Sequence, residues 1–415
     1  MWNRLLDRFL QRTVRTGCLD VTLADGSTRR YGDGGAPAVS VTLHDPDLAR
    51  KLVLDPDVAM GEAYMDARLT IDGDDVNGLL ALALSNLRAG HVGGWQGFIH
   101  RLRDWLRSVE QYNPAARSRR NVAHHYDLSG ELYDLLLDSD RQYSCAYFRT
   151  PEDSLEQAQA QKKAHIAAKL GIEPGMSVLD IGCGWGGMAL TLARDHGARV
   201  LGVTLSEEQL KVATERAKRA GLDDRVSFKL MDYRAVTGQF DRIVSVGMFE
   251  HVGAPQFRTY FRTVRELLSP DGLALIHTIG RNAPPGATSR WMTKYIFPGG
   301  YIPAMSEVMA AVERENLVSC DIEVLRLHYA QTLRHWHDRF LANIDKARAL
   351  YDDRFCRMWR YYLAASEESF RHAGHCVFQF QLAHHVAAAP LTRDYLYTDA
   401  QMQDAVERQP RSAAE

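Results

Sequence analysis

Cysteine is scarce in this chain, with six residues in 415 and none in a C-x-x-C pair. That scatter excludes a disulfide framework and implies free thiols in a reducing compartment. Cys145, His251 and His277 offer no pair at zinc-like spacing either. Long apolar runs are missing too; the nearest, residues 79–84, is far short of a membrane span. The N-terminal residues mix Trp2, Leu5, Leu6, Phe9 and Leu10 with charges, so no secretory signal core forms. A net charge of −2 supplies no global field toward nucleic acid, which argues against such a partner. The dinucleotide fingerprint G-x-G-x-x-G is also absent.

What remains is ordinary globular material, 46% hydrophobic and 25% charged, long enough for two or three domains. The charge is distributed unevenly. Arg4, Arg8, Arg12 and Arg15 crowd the first helix-like stretch, and Arg101, Arg103, Arg107, Arg117, Arg119 and Arg120 crowd a second. Residues 45–75 between them are acidic. The first helix has apolar residues at helical spacing, which suits either a membrane surface or the face of its own domain.

The rest of the chain is organised around Val178-Leu179-Asp180-Ile181-Gly182-Cys183-Gly184-Trp185-Gly186-Gly187. A buried-type strand runs into a glycine turn and then a helix, the way a doubly wound α/β sheet builds a nucleotide site. Gly182 and Gly184 permit positive φ and close backbone approach. Asp180 stands at the carboxyl end of the strand, where such sheets bind ligands.

Other segments extend the pattern in both directions. Strands are expected over 18–23, 28–31 and 39–43, with Asp45 capping a helix to about 53 and further helices over 57–65, 75–87 and 98–109. Residues 1–111 then form a small α+β domain. Residues 132–137 and 155–170 read as helices, flanking Gln142-Tyr143-Ser144-Cys145-Ala146-Tyr147-Phe148, a cluster rich in rings and hydroxyls. Strands over 178–181, 199–204, 226–230, 240–246 and 273–278 alternate with helices, which implies a parallel sheet covered on both faces. Residues 280–303 break the alternation and carry Trp291, Tyr295, Ile296, Phe297 and Tyr301. Exposed rings there suggest a lid or a wall for an apolar ligand. A helix over 305–315, a strand over 320–327, helices over 331–344 and 346–372 and a last strand over 376–382 follow. Residues 396–415 are a polar tail.

The second strand ends without the acidic residue that commonly binds ribose. Thr204 and Gln209 can still hydrogen-bond a diol or an amino acid group. After the third strand, Asp232 can accept from an amine and Tyr233 can stack on a base.

Taken together, V-L-D-I-G-C-G-W-G-G, G-V-T-L-S, F-D-R-I-V-S-V-G-M-F-E-H-V-G, H-T-I-G and Q-Y-S-C-A-Y-F resemble the cyclopropane fatty acid synthase family, which includes the mycolic acid cyclopropane synthases. The likeness runs from about residue 121 to 382, and G-E-A-Y-M-D extends it more loosely into the N-terminal lipid-binding domain of the phospholipid enzymes. It implies an α/β class I methyltransferase (Rossmann-like) domain over 112–395, with the insertion at 280–303, behind the small N-terminal α+β lipid-binding domain. It also implies S-adenosylmethionine as cofactor, with Tyr143, Ser144 and Leu205 joining Asp180, Gly182, Gly184, Thr204, Gln209, Asp232 and Tyr233 around it. No metal is implied.

The family's reaction places a methylene on the cis double bond of an unsaturated phospholipid acyl chain, through a carbocation and a bicarbonate base. By motif position the bicarbonate ligands are Cys145, Glu250, His277 and Tyr329, with backbone at Ile279. Ser366 replaces the cysteine many members carry in a Y-L-x-A-C segment, so an essential thiol cannot act there. The free thiols and the arginine patches suit a cytoplasmic enzyme on the anionic inner face of the cell membrane, and the resemblance is compatible with a homodimer. Two alternatives stay open: a relative that ends in a methyl or methylene branch, and an inactive lipid-binding protein.

Overall fold

The computed structural model describes residues 1–88 and 129–397. The expected helix over 98–109, all six arginines of the second basic cluster, residues 121–128 and most of the polar tail lie outside the described residues, as does the expected boundary near 111.

Helix α1 (Trp2–Thr13) buries Leu6 and lays Trp2, Phe9 and Leu10 against the N-terminal core. Arg4, Arg8 and Arg12 are exposed on it, and Arg15 is exposed just beyond its end. The helix is therefore docked on its own domain and presents a cationic stripe outward. Strands β1 (Cys18–Thr22), β2 (Thr28–Gly32), β3 (Ala38–Leu43) and β4 (Leu69–Ile71) form a sheet in the order β2-β1-β3-β4. Strand β4 is three residues long, too short for an alternation pattern to announce it. Helices α2 (Leu48–Leu54), α3 (Pro56–Met65) and α4 (Val76–Arg88) complete this unit. Asp45 does not cap α2; Asp47 holds that position. The Asp45 carboxylate instead accepts from Asp47 N–H at 2.9 Å and pairs with Arg68 at 2.8 Å, which ties the start of α2 to β4.

The larger unit begins with α5 (Gly130–Asp134), earlier and shorter than the expected 132–137. Helix α6 (Leu155–Leu170) has a Ser154/Gln157 capping box and ends at Gly171 in the left-handed region. Then come β5 (Ser177–Ile181), α7 (Gly187–His196), β6 (Arg199–Thr204), α8 (Glu207–Arg219), β7 (Val226–Leu230), β8 (Phe240–Val246), α9 (Phe257–Leu267) and β9 (Leu268–Arg281). After the insertion, which contains α10 (Arg290–Tyr295), follow α11 (Met305–Arg314), β10 (Val318–Leu325), α12 (His328–Ala342), α13 (Ile344–Leu350), α14 (Asp353–His372) and β11 (His375–Ala383). The stretch expected as one helix over 346–372 is two, because Asp352 accepts from Phe355 N–H at 2.6 Å and caps a new start.

The seven strands run β10-β11-β9-β8-β5-β6-β7. The five from β9 to β7 are parallel, as the alternation implied. Strand β11 runs against them: it pairs antiparallel with both β9 and β10, so β10 points the same way as the five and the sheet is mixed through one reversed strand.

The two units share a core. Helix α14 packs between α3, α4 and α12; Tyr361 lies 6.1 Å from Tyr64, Arg357 sits over the Tyr64 ring, and Asn77 donates to Glu368 at 2.8 Å. The insertion joins the same contact. Its Trp291, Ile296 and Tyr301 are buried rather than exposed, so these rings plug protein instead of lining solvent. Trp291 presses on α3 at Gly61, where a Cβ would stand 2.3 Å from Nε1. Asp57 accepts from Ser289 Oγ and Arg290 N–H, both at 2.7 Å, and Glu62 accepts from Lys294 and Tyr295.

Candidate active site

The site starts at the glycine turn. Gly182 follows β5 with φ 81°, a region that favours glycine. Its N–H and that of Cys183 both donate to Val203 O on β6, at 2.9 and 3.1 Å. A Cβ on Gly182 would meet Met248 Cβ at 2.9 Å. Two strand ends and the loop after β8 are thereby drawn around one cavity.

Asp180, Gly182 and Gly184 line that cavity, with Thr204, Leu205 and Gln209 from the end of β6. Asp232 and Tyr233, after β7, form a third wall, and Tyr143 and Ser144, before α6, form a fourth. Thr204 Oγ1 donates to Gln209 Oε1 at 2.8 Å, which leaves the Gln209 NH₂ as the donor this pair offers. Asp232 is also the turn residue that bare composition suggests: it caps a short 3₁₀ turn and takes both arms of the Arg234 guanidinium, at 2.8 and 2.6 Å. Its Oδ1 also accepts from the Arg234 N–H at 3.0 Å, so this carboxylate is held on both oxygens by one residue. Asp180 is buried, with no partner for Oδ2 among the described residues. Burial raises its carboxyl to about 7, against a lowering pull from Lys162.

The residues matched to the bicarbonate motif are not among those lining this cavity, and their contacts sort them into two groups. Glu250 stands on the 3₁₀ turn Phe249–His251, and its Oε1 accepts from Ile279 N–H at 2.6 Å. Burial pushes Glu250 up to about 7, partly offset by that backbone bond. Its Oε2 has no partner among the described residues. His277, two residues before Ile279 and on the same face of β9, is joined to Gln379 of β11 through Nδ1 at 3.1 Å. Its Nε2 has no partner among the described residues. Burial first, and then the charge on Lys162, lower His277 to about 3.

The second group is Cys145 and Tyr329. Thr332 on α12 accepts from Ala146 N–H at 3.0 Å, and Tyr329 lies one turn earlier on that helix. Burial raises the Cys145 thiol well above its usual range, against a lowering pull from Lys162. Lys162 is thus electrostatically close to both groups. Tyr329 meets Trp336 edge-on at 5.7 Å, Trp336 stacks on Tyr143 at 5.1 Å, and the Tyr143 and Tyr362 hydroxyls are 2.7 Å apart. An aromatic wall therefore links this group to the first cavity.

Ser366 is not brought to the cavity; it is half-buried on α14, next to the ion-paired Glu367. Sequence reading also left Lys162, Gln379 and Arg234 unmarked. One signal was available for the first: Lys162, Lys163 and Lys169 interrupt a helix with apolar residues on every side. Gln379 carries no local signal, since its role depends on a strand 102 positions away.

Parallel strands with a ligand crevice at their carboxyl ends, opening on a glycine turn, are the architecture of an S-adenosylmethionine-dependent class I methyltransferase. The chain belongs to the family described as mycolic acid cyclopropane synthetase, which residues 114–380 match. Residues 5–89 match a domain of unknown function. Among the curated relatives is the cyclopropane-fatty-acyl-phospholipid synthase of Escherichia coli K12, 40% identical over 343 residues, 82% of this chain and 86% of that one. Another, from Pseudomonas putida, bears the name "Probable fatty acid methyltransferase"; it is 36% identical over 367 residues, 85% of this chain and 88% of that one. The crystal structure of a mycolic acid cyclopropane synthase complexed with SAH and CTAB superposes with a TM-score of 0.61 at 31% identity, covering 66% of this chain and 99% of that one. The enzyme is an S-adenosylmethionine-dependent methyltransferase of the cyclopropane synthase type.

Proposed function

We propose that this enzyme converts the cis double bond of an unsaturated phospholipid acyl chain into a cyclopropane ring, with bicarbonate held by Glu250, His277, Cys145, Tyr329 and the backbone of Ile279. The observation that carries the reading is a pair of buried polar atoms, Glu250 Oε2 and His277 Nε2, each without a partner among the described residues. Such atoms are costly to bury unsatisfied, and a small oxyanion with one hydroxyl suits both.

The chain's own groups fit that role. With Gln379 Nε2 donating to Nδ1, the neutral His277 carries its proton on Nε2 and donates from it. Glu250, fixed by Ile279 N–H through Oε1, keeps Oε2 to accept a hydroxyl hydrogen. The Cys145 thiol keeps its proton; it donates to Ala146 O at 3.2 Å here and would have to turn to reach the anion. Held there, bicarbonate supplies a base for the proton lost when a ring closes. S-adenosylmethionine supplies an electrophilic methyl on a sulfonium. The rings of Tyr143, Trp336 and Tyr362 keep water away and offer π faces to positive charge.

We further propose that α1 meets an anionic membrane surface from the cytoplasmic side. Its three arginines, Arg4, Arg8 and Arg12, form one exposed stripe, and no described helix is long and apolar enough to cross a membrane.

The deciding experiment gives the purified enzyme labelled S-adenosylmethionine and vesicles of defined unsaturated phospholipids, and identifies the modified chain by mass spectrometry after mild hydrogenation. A ring supports the proposal. A methyl or methylene branch replaces it with the branching reading, and no label in lipid removes both.

A further inference from the structure

Helix α6 buries three lysines, Lys162, Lys163 and Lys169, and they are not equivalent. Lys163 pairs with Asp140 at 2.5 Å, and Lys169 pairs with Glu323 at 2.6 Å. Lys162 is fully buried and has no carboxylate within ion-pair distance among the described residues. Its Nζ donates to Gln142 Oε1 at 2.6 Å and to Ser144 Oγ at 2.8 Å. Asp138 and Asp140 act on it only at longer range, and burial lowers it to about 8. A buried cation bonded only to neutral groups is costly unless an anion arrives.

Both of its partners line the cavity, and both are immobilised. Gln142 is held at its other end, where Nε2 donates to Asp140 Oδ2 at 3.0 Å. The main-chain oxygen of Ser144 accepts from Gln159 Nε2, again from α6, at 2.9 Å. Because Lys162 donates to Ser144 Oγ, the hydroxyl hydrogen must point elsewhere, and the cavity is the side Ser144 lines. Asp180 lines the same cavity with Oδ2 unpartnered. The cavity thus presents a buried cation, relayed by a serine hydroxyl, and a buried carboxylate. That pattern complements a zwitterionic α-amino acid group.

We infer that Lys162 is the positioning residue for the methionine carboxylate of S-adenosylmethionine, acting through Ser144, while Asp180 faces the ammonium. The adenine is left to the Asp232–Tyr233 wall. The inference needs the cofactor but not the identity of the product, so a branched lipid product would leave it untouched.

The test measures equilibrium binding by calorimetry with four probes: S-adenosylmethionine, S-adenosylhomocysteine, decarboxylated S-adenosylmethionine and 5′-methylthioadenosine. In Lys162→Gln the first two should weaken by roughly 10-fold or more, the size expected for losing a charge-assisted contact. The two probes without a carboxylate should change by less than about 2-fold, and Lys162→Arg should recover most of the loss. Equal weakening of all four probes would make Lys162 a structural support only. Unchanged binding of S-adenosylmethionine would remove it from the site. If Lys162→Gln does not fold, Ser144→Ala breaks the relay without burying anything new. The same carboxylate-selective loss is expected there, and an unselective or absent loss overturns the inference.

Discussion

Gln379 reaches His277 across the antiparallel pair β9–β11, with Nε2 3.1 Å from Nδ1, and both side chains are buried. The register places the two directly opposite. A neutral imidazole has one donor and one acceptor nitrogen, so whatever Gln379 does to Nδ1 sets what Nε2 can do.

Gln379→Glu should reverse the arrangement. A carboxylate accepts from Nδ1–H and turns Nε2 into an acceptor, which repels an oxyanion. Turnover is expected to fall on the order of 10–100-fold, the usual cost of losing an orienting partner. Affinity for S-adenosylmethionine should hold within about 2-fold. A parallel drop in both, by steady-state kinetics and calorimetry, would mean the substitution disturbs the sheet rather than the tautomer.

Glu250→Gln should abolish turnover and leave cofactor binding intact, because Glu250 is not among the residues lining the cavity. Its charge state also predicts a stability effect. The carboxyl titrates near 4.5 in the unfolded chain and near 7 when folded. The folded state holds the proton more tightly, so this contribution is complete below about 4.5 and is lost as pH rises through about 7. The glutamine variant has no such proton. From pH 5 to pH 8 the wild type should lose about 1–3 kcal/mol relative to the variant in urea titrations. A constant difference would place Glu250 in a more polar setting.

Trp291→Ala removes a ring that is 1% exposed and wedged on Gly61. The cavity left behind should cost about 3–5 kcal/mol of stability, read from the denaturant midpoint at constant slope. The loss should also free the insertion from α3, seen as faster proteolysis within residues 282–289. A small loss would mean that the Asp57 and Glu62 bonds hold the contact without the ring.

Replacing Arg4, Arg8 and Arg12 with Ala should weaken sedimentation with phosphatidylglycerol vesicles, by about 1 kcal/mol per arginine at low salt. Added salt should diminish the wild-type binding in the same way. Binding that ignores both changes would assign the stripe to solvation alone.

The glycine turn, its strand and the hydroxyl-rich segment around Ser144 were legible because each is a local pattern. The five parallel strands were legible for the same reason, through apolar runs spaced by helices. The place of β11 was not, since residues 376–382 look like any buried strand and nothing in them names a neighbour. Trp291 misled because its burial depends on a glycine 230 positions earlier. Lys162 was overlooked because a lysine in a helix ordinarily faces water, and only the packing of α6 under the 142–148 segment places it inside. The break between α13 and α14 did have a mark, Asp352 followed by Asp353, which a closer reading for caps would have used.

The last strand of the chain occupies an interior lane of the sheet, between β9 and β10. A ribosome releases it after everything else in that sheet, so the growing polypeptide must keep a slot beside β9 unfilled until residue 383 emerges. His277 waits with it, since its orienting amide rides on that strand. Newly made chains should therefore acquire chemical competence only once that strand has left the ribosome, in one step with closure of the sheet.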